Sequence, residues 1–301
     1  MSVSSSLAGR DGPRVVAVGG GHGLAATLAA LRRYAGAVTA VVTAADDGGS
    51  SGRLRAEFAM TPPGDVRRCL AALAPADTLL ARALEHRFVE GDLAGHPVGN
   101  LLLAGLAEAG GGGFQAAVDE LARLLGACGR VTSATVTPVE LWAETDGGIA
   151  RGESAISQQE GIKRVWVTPA DATPSPVAVE AIASADQVVL GPGSLFTSVL
   201  AAAVSPGVWG ALAETRAEKV LVANLAPEHP MTVKLRLDDH VEVLAAHGIE
   251  VDVVVVDEQV DDTLSNAVEV RAPLRAHDRL VHDPELLALA LAQLPWERRS
   301  G

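Results

Sequence analysis

Two adjacent carboxylates, Asp46 and Asp47, open the run Asp46-Asp47-Gly48-Gly49-Ser50-Ser51-Gly52-Arg53-Leu54-Arg55. Neighbouring carboxylates repel unless a cation or hydrogen-bond donors lie between them. Such a pair can hold ribose hydroxyls, a Mg2+ that neutralises a diphosphate, or the nearby arginines. The glycines free backbone N–H groups to face an anion. Ser50, Ser51 and Arg53 complete the candidate set in this block. A second turn, Gly19-Gly20-Gly21-His22-Gly23, leads into Leu24-Ala25-Ala26 and satisfies G-x-G-x-x-A between an apolar run and a helical pattern. Glycines there permit a tight turn and close approach to phosphate, and the helix N-terminus offers unpaired N–H groups and a positive dipole end. Gly20, Gly21, His22 and Gly23 are therefore ligand candidates. Asp46, 23 positions beyond Gly23, stands where an acidic residue is expected on a ribose.

Further along, Pro62-Pro63-Gly64-Asp65-Val66-Arg67-Arg68 begins a helix. Asp65 is expected to cap it. Arg67 and Arg68 in the first turn oppose the helix dipole and so point to a bound anion. Asn100, in His96-Pro97-Val98-Gly99-Asn100, can read a base or a sugar hydroxyl, whereas a lone His96 reads as structural. Gly191-Pro192-Gly193-Ser194 is another strand-to-helix turn, with Ser194 as the cap, and Asn224 ends the next strand. No Walker loop, zinc-protease helix, nucleophile elbow or Cys-His arrangement is present, so no catalytic residue and no dedicated metal ligand is assigned.

These residues need strands and helices to carry them. Strands are expected at Arg14–Val18, Val38–Thr43, Val131–Thr137, Val139–Glu144, Arg164–Val167, Val188–Leu190, Val220–Ala223 and Val251–Val256. Helices are expected at Leu24–Tyr34, Asp65–Leu73, Asp77–Phe88, Val98–Ala109, Phe114–Leu125 and Pro284–Leu294, with Ala44–Gly52 a loop. Strand, glycine turn, helix and strand within about thirty residues form a right-handed βαβ unit. The fold class is thus α/β: a Rossmann-like, doubly wound, mostly parallel sheet with a helical insertion. Residues 1–13 read as a disordered leader and 14–295 as a single domain.

The bulk composition agrees. The chain has 301 residues, 48% hydrophobic and 20% charged, with net charge −13 and 3% aromatics. Nucleic-acid binders present a basic face and stacking aromatics, so no nucleic-acid partner is expected. No apolar run reaches the roughly 18 residues of a membrane span. Cys69 and Cys128 read as small buried thiols, which fits a reducing cytoplasm.

Taken together, Gly19–Gly23, Ala45–Arg55, Pro62–Leu70, Gly95–Leu102, Gly152–Ile156 and Ala185-Asp186 through Gly191–Ser198 resemble the CofD-like superfamily, in its gluconeogenesis-factor (YvcK-type) branch. The resemblance is collinear from Arg14 onward. It implies a Rossmann-like fold and binding of a nucleotide sugar of the UDP-N-acetylglucosamine kind, or a dinucleotide, by a regulator of carbon metabolism, cell shape and cell-wall synthesis. The sister branch implies the alternative, a Mg2+-dependent transfer of phospholactate to a deazaflavin in coenzyme F420 synthesis. Homo-oligomers and regulatory protein partners stay open. Two departures bear on ligand identity. His22 replaces the branch's usual Thr, and Leu225–Thr232 replaces its usual Met-Thr-Gln-Pro-Gly-Glu-Thr run.

Overall fold

The strand β1 (Arg14–Gly19) is buried along its whole length except Arg14. Its residues alternate between two cores: Val16 and Val18 face one cluster, Val15 and Ala17 the other. A strand apolar on both faces belongs inside a parallel sheet covered by helices. The computed structural model, which describes residues 12–228, 230–277 and 280–295, bears this out. The leader expected at 1–13 lies outside the described residues except for Gly12 and Pro13.

In chain order the strands are β1, β2 (Ala37–Val42), β3 (Arg130–Ser133), β4 (Glu140–Thr145), β5 (Gly148–Arg151), β6 (Ile162–Thr168), β7 (Gln187–Leu190), β8 (Glu218–Val222), β9 (Val253–Asp257) and β10 (Val268–Ala272). Seven of them form one sheet, ordered β10-β9-β8-β7-β1-β2-β3, and every pairing in it is parallel. The chain leaves β1 toward β2 on one side and later returns as β7 on the other. That strand-order reversal opens a crevice at the carboxyl ends of β1 and β7, where open α/β sheets bind ligands. Helices cover both faces. Gly21–Leu31, Pro63–Leu73, Gly113–Leu125 and Pro284–Ala292 pack on one core; Pro176–Ala183, Val208–Glu214 and Leu237–Ala246 pack on the other. The remaining strands form a small antiparallel sheet, β5-β4-β6.

The helical insertion lies between β2 and β3 and holds five helices: Gly49–Phe58, Pro63–Leu73, Leu79–Glu85, Val98–Gly110 and Gly113–Leu125. One of them corrects the sequence reading. The block expected as a loop to Gly52 becomes helical at Gly49, so its serines occupy the first turn of a helix. The helix expected over Asp77–Phe88 is shorter, because Thr78 caps it by accepting from the Ala81 N–H. Cys69 is buried, but Cys128, just past a helix end, is exposed. Among the described residues no single helix is long and apolar enough to cross a membrane.

Candidate functional site

The β1 turn is held by a carboxylate from the insertion. Gly20 caps the helix Gly21–Leu31 in extended conformation without a side-chain acceptor of its own. The Gly21 N–H instead donates to Asp65 Oδ2 at 2.8 Å. Asp65 is therefore not the cap expected from sequence. Pro62 takes that place, and Asp65 is the third residue of its helix, free to reach across to the glycine turn. Arg68, one turn on, forms an ion pair with it. Burial pushes the Asp65 carboxyl up, and the neighbouring Arg68 charge partly offsets this.

The acidic block arrives from β2. Asp46 Oδ1 accepts the Gly48 N–H at 2.9 Å and so fixes the approach to the helix Gly49–Phe58, which has no side-chain cap. Its first N–H groups therefore lack intrahelical partners. Ser51 Oγ accepts from Gly64 N–H at 3.1 Å, tying this helix to the next. Ser50 Oγ lies 2.8 Å from His96 Nδ1 and receives Asn100 Nδ2 at 3.0 Å. Asp47 turns the other way and accepts from the Ser154 N–H at 3.0 Å and its hydroxyl at 2.7 Å.

These elements enclose a polar cavity of about 350 Å3, lined by six of the residues expected from sequence: Gly21, Asp46, Ser50, Ser51, Asp65 and Asn100. Arg67, Arg68, Arg87, Glu153 and Ser198 line it as well. The two arginines that oppose the helix dipole each have a carboxylate partner, Arg67 with Glu85 at 2.6 Å and Arg68 with Asp65. Both still border the cavity. Arg87 lacked a sequence signal, since no turn or cap fixes it, and Ser198 closed the Gly191–Ser198 block without standing out as a ligand residue. Glu153 lay within Gly152-Glu153-Ser154, and its position beside the acidic block arises only from tertiary packing.

The other expected residues do not line the cavity. Gly20 backs it, since a side chain there would meet Asp65 Oδ2 and Ser198 Oγ. His22 is exposed on the turn. Arg53 points away and donates to the Ala94 carbonyl oxygen at 3.0 Å. Gly23 lies against Pro192 and Gly193 in the β7 turn. Asn224 clasps Gly193 by accepting its N–H at 3.0 Å and donating to its carbonyl oxygen at 2.9 Å. Ser194 caps the next helix as expected, by accepting from Thr197 N–H at 3.2 Å. Glu228 accepts the Leu195 N–H at 3.3 Å, so this helix start is occupied by a carboxylate. The β7 turn thus braces the β1 turn from behind.

Glu153 is strongly shifted by its surroundings. Burial first, then the Asp46 and Asp65 charges, raise its carboxyl from 4.5 to about 9, so it holds a proton beside Asp46 at neutral pH. A group raised in this way stabilises the native state fully below its ordinary range, and that stabilisation fades as pH rises toward 9. The melting temperature of Glu153→Gln is expected to fall less between pH 6 and pH 9 than that of the wild type. Thermal melts across that range check this, and parallel curves would mean Glu153 is ionised throughout. Among the described residues no group of three or more His, Cys, Asp or Glu side chains is placed to hold a metal ion. A Mg2+ here would need phosphate oxygens as its main ligands, with one or two carboxylates added.

Comparison with known proteins bears on the family. The profile of the family described as 2-phospho-L-lactate transferase CofD matches residues 15–289. A Mycobacterium tuberculosis protein is 48% identical over 247 residues, which is 78% of this chain and 72% of that one. The gluconeogenesis factor of Halalkalibacterium halodurans is 40% identical, covering 93% of this chain and 88% of its own. A crystal structure of a UPF0052 family member from Bacillus halodurans superposes with a TM-score of 0.88 at 34% identity, covering 95% of this chain and all of that one. With this fold, these turns and these relatives, the chain belongs to the CofD family, in its gluconeogenesis-factor (YvcK-type) branch.

Proposed function

We propose that residues 14–295 act as one cytoplasmic domain that binds a nucleotide sugar of the UDP-N-acetylglucosamine kind and regulates carbon metabolism, cell shape and cell-wall synthesis without turnover. One observation carries the binding reading. The uncapped start of the helix Gly49–Phe58 and the arginines Arg68 and Arg87 border one cavity with Asp46, Asp65 and Glu153. Helix N–H groups and guanidinium forks suit phosphate oxygens, and carboxylates suit sugar hydroxyls. The absence of a recognisable nucleophile–base pair in the sequence motifs supports a sensor rather than a catalyst. Expected ligand residues are Gly21, Asp46, Ser50, Ser51, Asp65 and Asn100. Gly20, His22, Gly23, Asp47, Arg53, Gly191, Gly193, Ser194 and Asn224 form or brace the surrounding turns. Calorimetric titration with UDP-N-acetylglucosamine, UDP-glucose and NAD tests the reading. A nucleotide sugar is expected to bind, and no binding by any of the three at millimolar concentration would rule the reading out.

The family description and the clustered carboxylates favour one alternative, a Mg2+-dependent phospholactate transfer to a deazaflavin. Mass spectrometry of a deazaflavin incubated with donor, Mg2+ and protein separates the two. The sensor reading expects an unmodified deazaflavin, and a phospholactyl adduct would replace it with the transferase.

A further inference from the structure

Two buried polar atoms at the cavity lack partners within the protein. Asn100 is 1% exposed, and its Oδ1 has no hydrogen bond; Arg67 is 3% exposed, and its Nε has none either. An unsatisfied buried donor or acceptor is costly, so such atoms mark where a ligand completes the structure. The Asn100 amide sits in a short chain of side-chain hydrogen bonds with Ser50 and His96. Burial, then the Arg53 charge, lowers the His96 pKa, so the ring is neutral and its Nδ1 can accept from the Ser50 hydroxyl. Asn100 donates from Nδ2 to Ser50 Oγ at 3.0 Å, which leaves the Ser50 proton for His96 Nδ1. Its carbonyl oxygen is left unpaired beside the cavity.

The two residues line one cavity, and the Arg67 side chain packs on the residue next to Asn100. The Arg67 stem lies across the backbone at Gly99, where a Cβ would come within 2.8 Å of Cγ and 2.9 Å of Cδ. Its Nη1 is anchored by Glu85, which leaves Nε–H as an available donor. An ionised phosphate only accepts, so it could satisfy the Arg67 Nε–H but not the Asn100 carbonyl oxygen. A nucleobase needs an apolar platform, and apart from glycine every described lining residue of this cavity is polar or charged.

We infer that Asn100 and Arg67 together read the sugar half of the ligand through a neutral group that both donates and accepts hydrogen bonds, a hydroxyl or a secondary amide, while the base lies outside this cavity. The inference rests on the nucleotide-sugar reading above. Asn100 thereby becomes a specificity residue, which distinguishes a sugar-bearing diphosphate from a bare one.

Calorimetry with UDP, UDP-glucose and UDP-N-acetylglucosamine on wild type, Asn100→Ala and Arg67→Lys tests it. The wild type is expected to bind at least one UDP-sugar more tightly than UDP. Asn100→Ala is expected to weaken that sugar nucleotide by about tenfold or more, the usual range for leaving a buried polar group unpaired, and UDP by less than about twofold. Arg67→Lys keeps the charge but removes the Nε donor, and the same selective loss is expected. Equal weakening of UDP and the UDP-sugar, or no loss for either, overturns the assignment while leaving nucleotide binding intact. Failure of the wild type to bind any of the three overturns the nucleotide reading itself and this assignment with it. Thermal melts of each variant separate lost recognition from lost folding, and the wild-type contrast between UDP and its sugars depends on no variant.

Discussion

Gly23→Ala is expected to destabilise the protein by about 3 kcal/mol and lower its melting temperature by roughly 5–10 °C. The cause is steric. A Cβ at Gly23 would press on the Pro192 carbonyl oxygen, with the carbonyl carbon 2.6 Å and the Gly193 nitrogen 3.0 Å away. All three are backbone atoms, and none can swing aside as a flexible side chain would. Asn224 clamps Gly193 through both its amide atoms, and Thr27 Oγ1 donates to the Gly191 carbonyl oxygen at 2.8 Å. The β7 turn is thus fixed where the new methyl needs space. Relief requires shifting the helix Gly21–Leu31, whose Leu24, Leu28 and Leu31 are fully buried. Such a shift also moves Gly21 away from Asp65, so ligand affinity should fall with stability. Differential scanning calorimetry checks the first effect. A melting temperature within a degree of wild type would mean the two turns are not held in contact.

Arg68→Ala is expected to weaken nucleotide-sugar binding by about 10- to 100-fold, the range for losing a charge-assisted hydrogen bond to phosphate. Arg68 borders the cavity, its side chain is 24% exposed, and Asp65 orients it. Removing it also strips a buried carboxylate of its cation, so some stability should be lost with affinity. Arg53→Ala is the matched contrast. Arg53 is exposed outside the cavity on the Ala94 carbonyl, so its removal should change affinity by less than about twofold. Titration of both variants under identical salt conditions provides the comparison. Equal losses would place the phosphates on the outer face of the helix Gly49–Phe58 rather than within the cavity.

The contrast between these two arginines shows what could be read from sequence and what could not. The parallel strands were legible because a strand buried on both faces must be continuously apolar, as in Val15–Val18. The β1 turn was legible because only glycines allow that approach of helix to strand. The hairpin from β4 to β5 turns on Asp146-Gly147, a two-residue pair with its own short-range signal. β10 was hidden by its edge position, where Val268-Glu269-Val270-Arg271 is half exposed and reads as polar. Spacing along the chain offered Arg53 and Arg68 alike as ligand candidates. Their opposite directions depend on helix rotation, since the glycine run begins a helix rather than a loop. Glu153 and Arg87 illustrate the same limit. Each reaches the cavity from a separate segment, and no local pattern encodes that meeting. Asp65 was legible as a helix-start residue but not as the partner of Gly21, a contact 44 residues away in sequence.

A crystal structure of the protein with UDP-N-acetylglucosamine tests the central claim most directly. The diphosphate is expected within hydrogen-bonding distance of the first N–H groups of the helix Gly49–Phe58 and of Arg68, with the sugar toward Asn100 and Glu153. A ligand bound elsewhere, for instance in the separate groove between Trp166 and Trp209, with this cavity left empty, would contradict it.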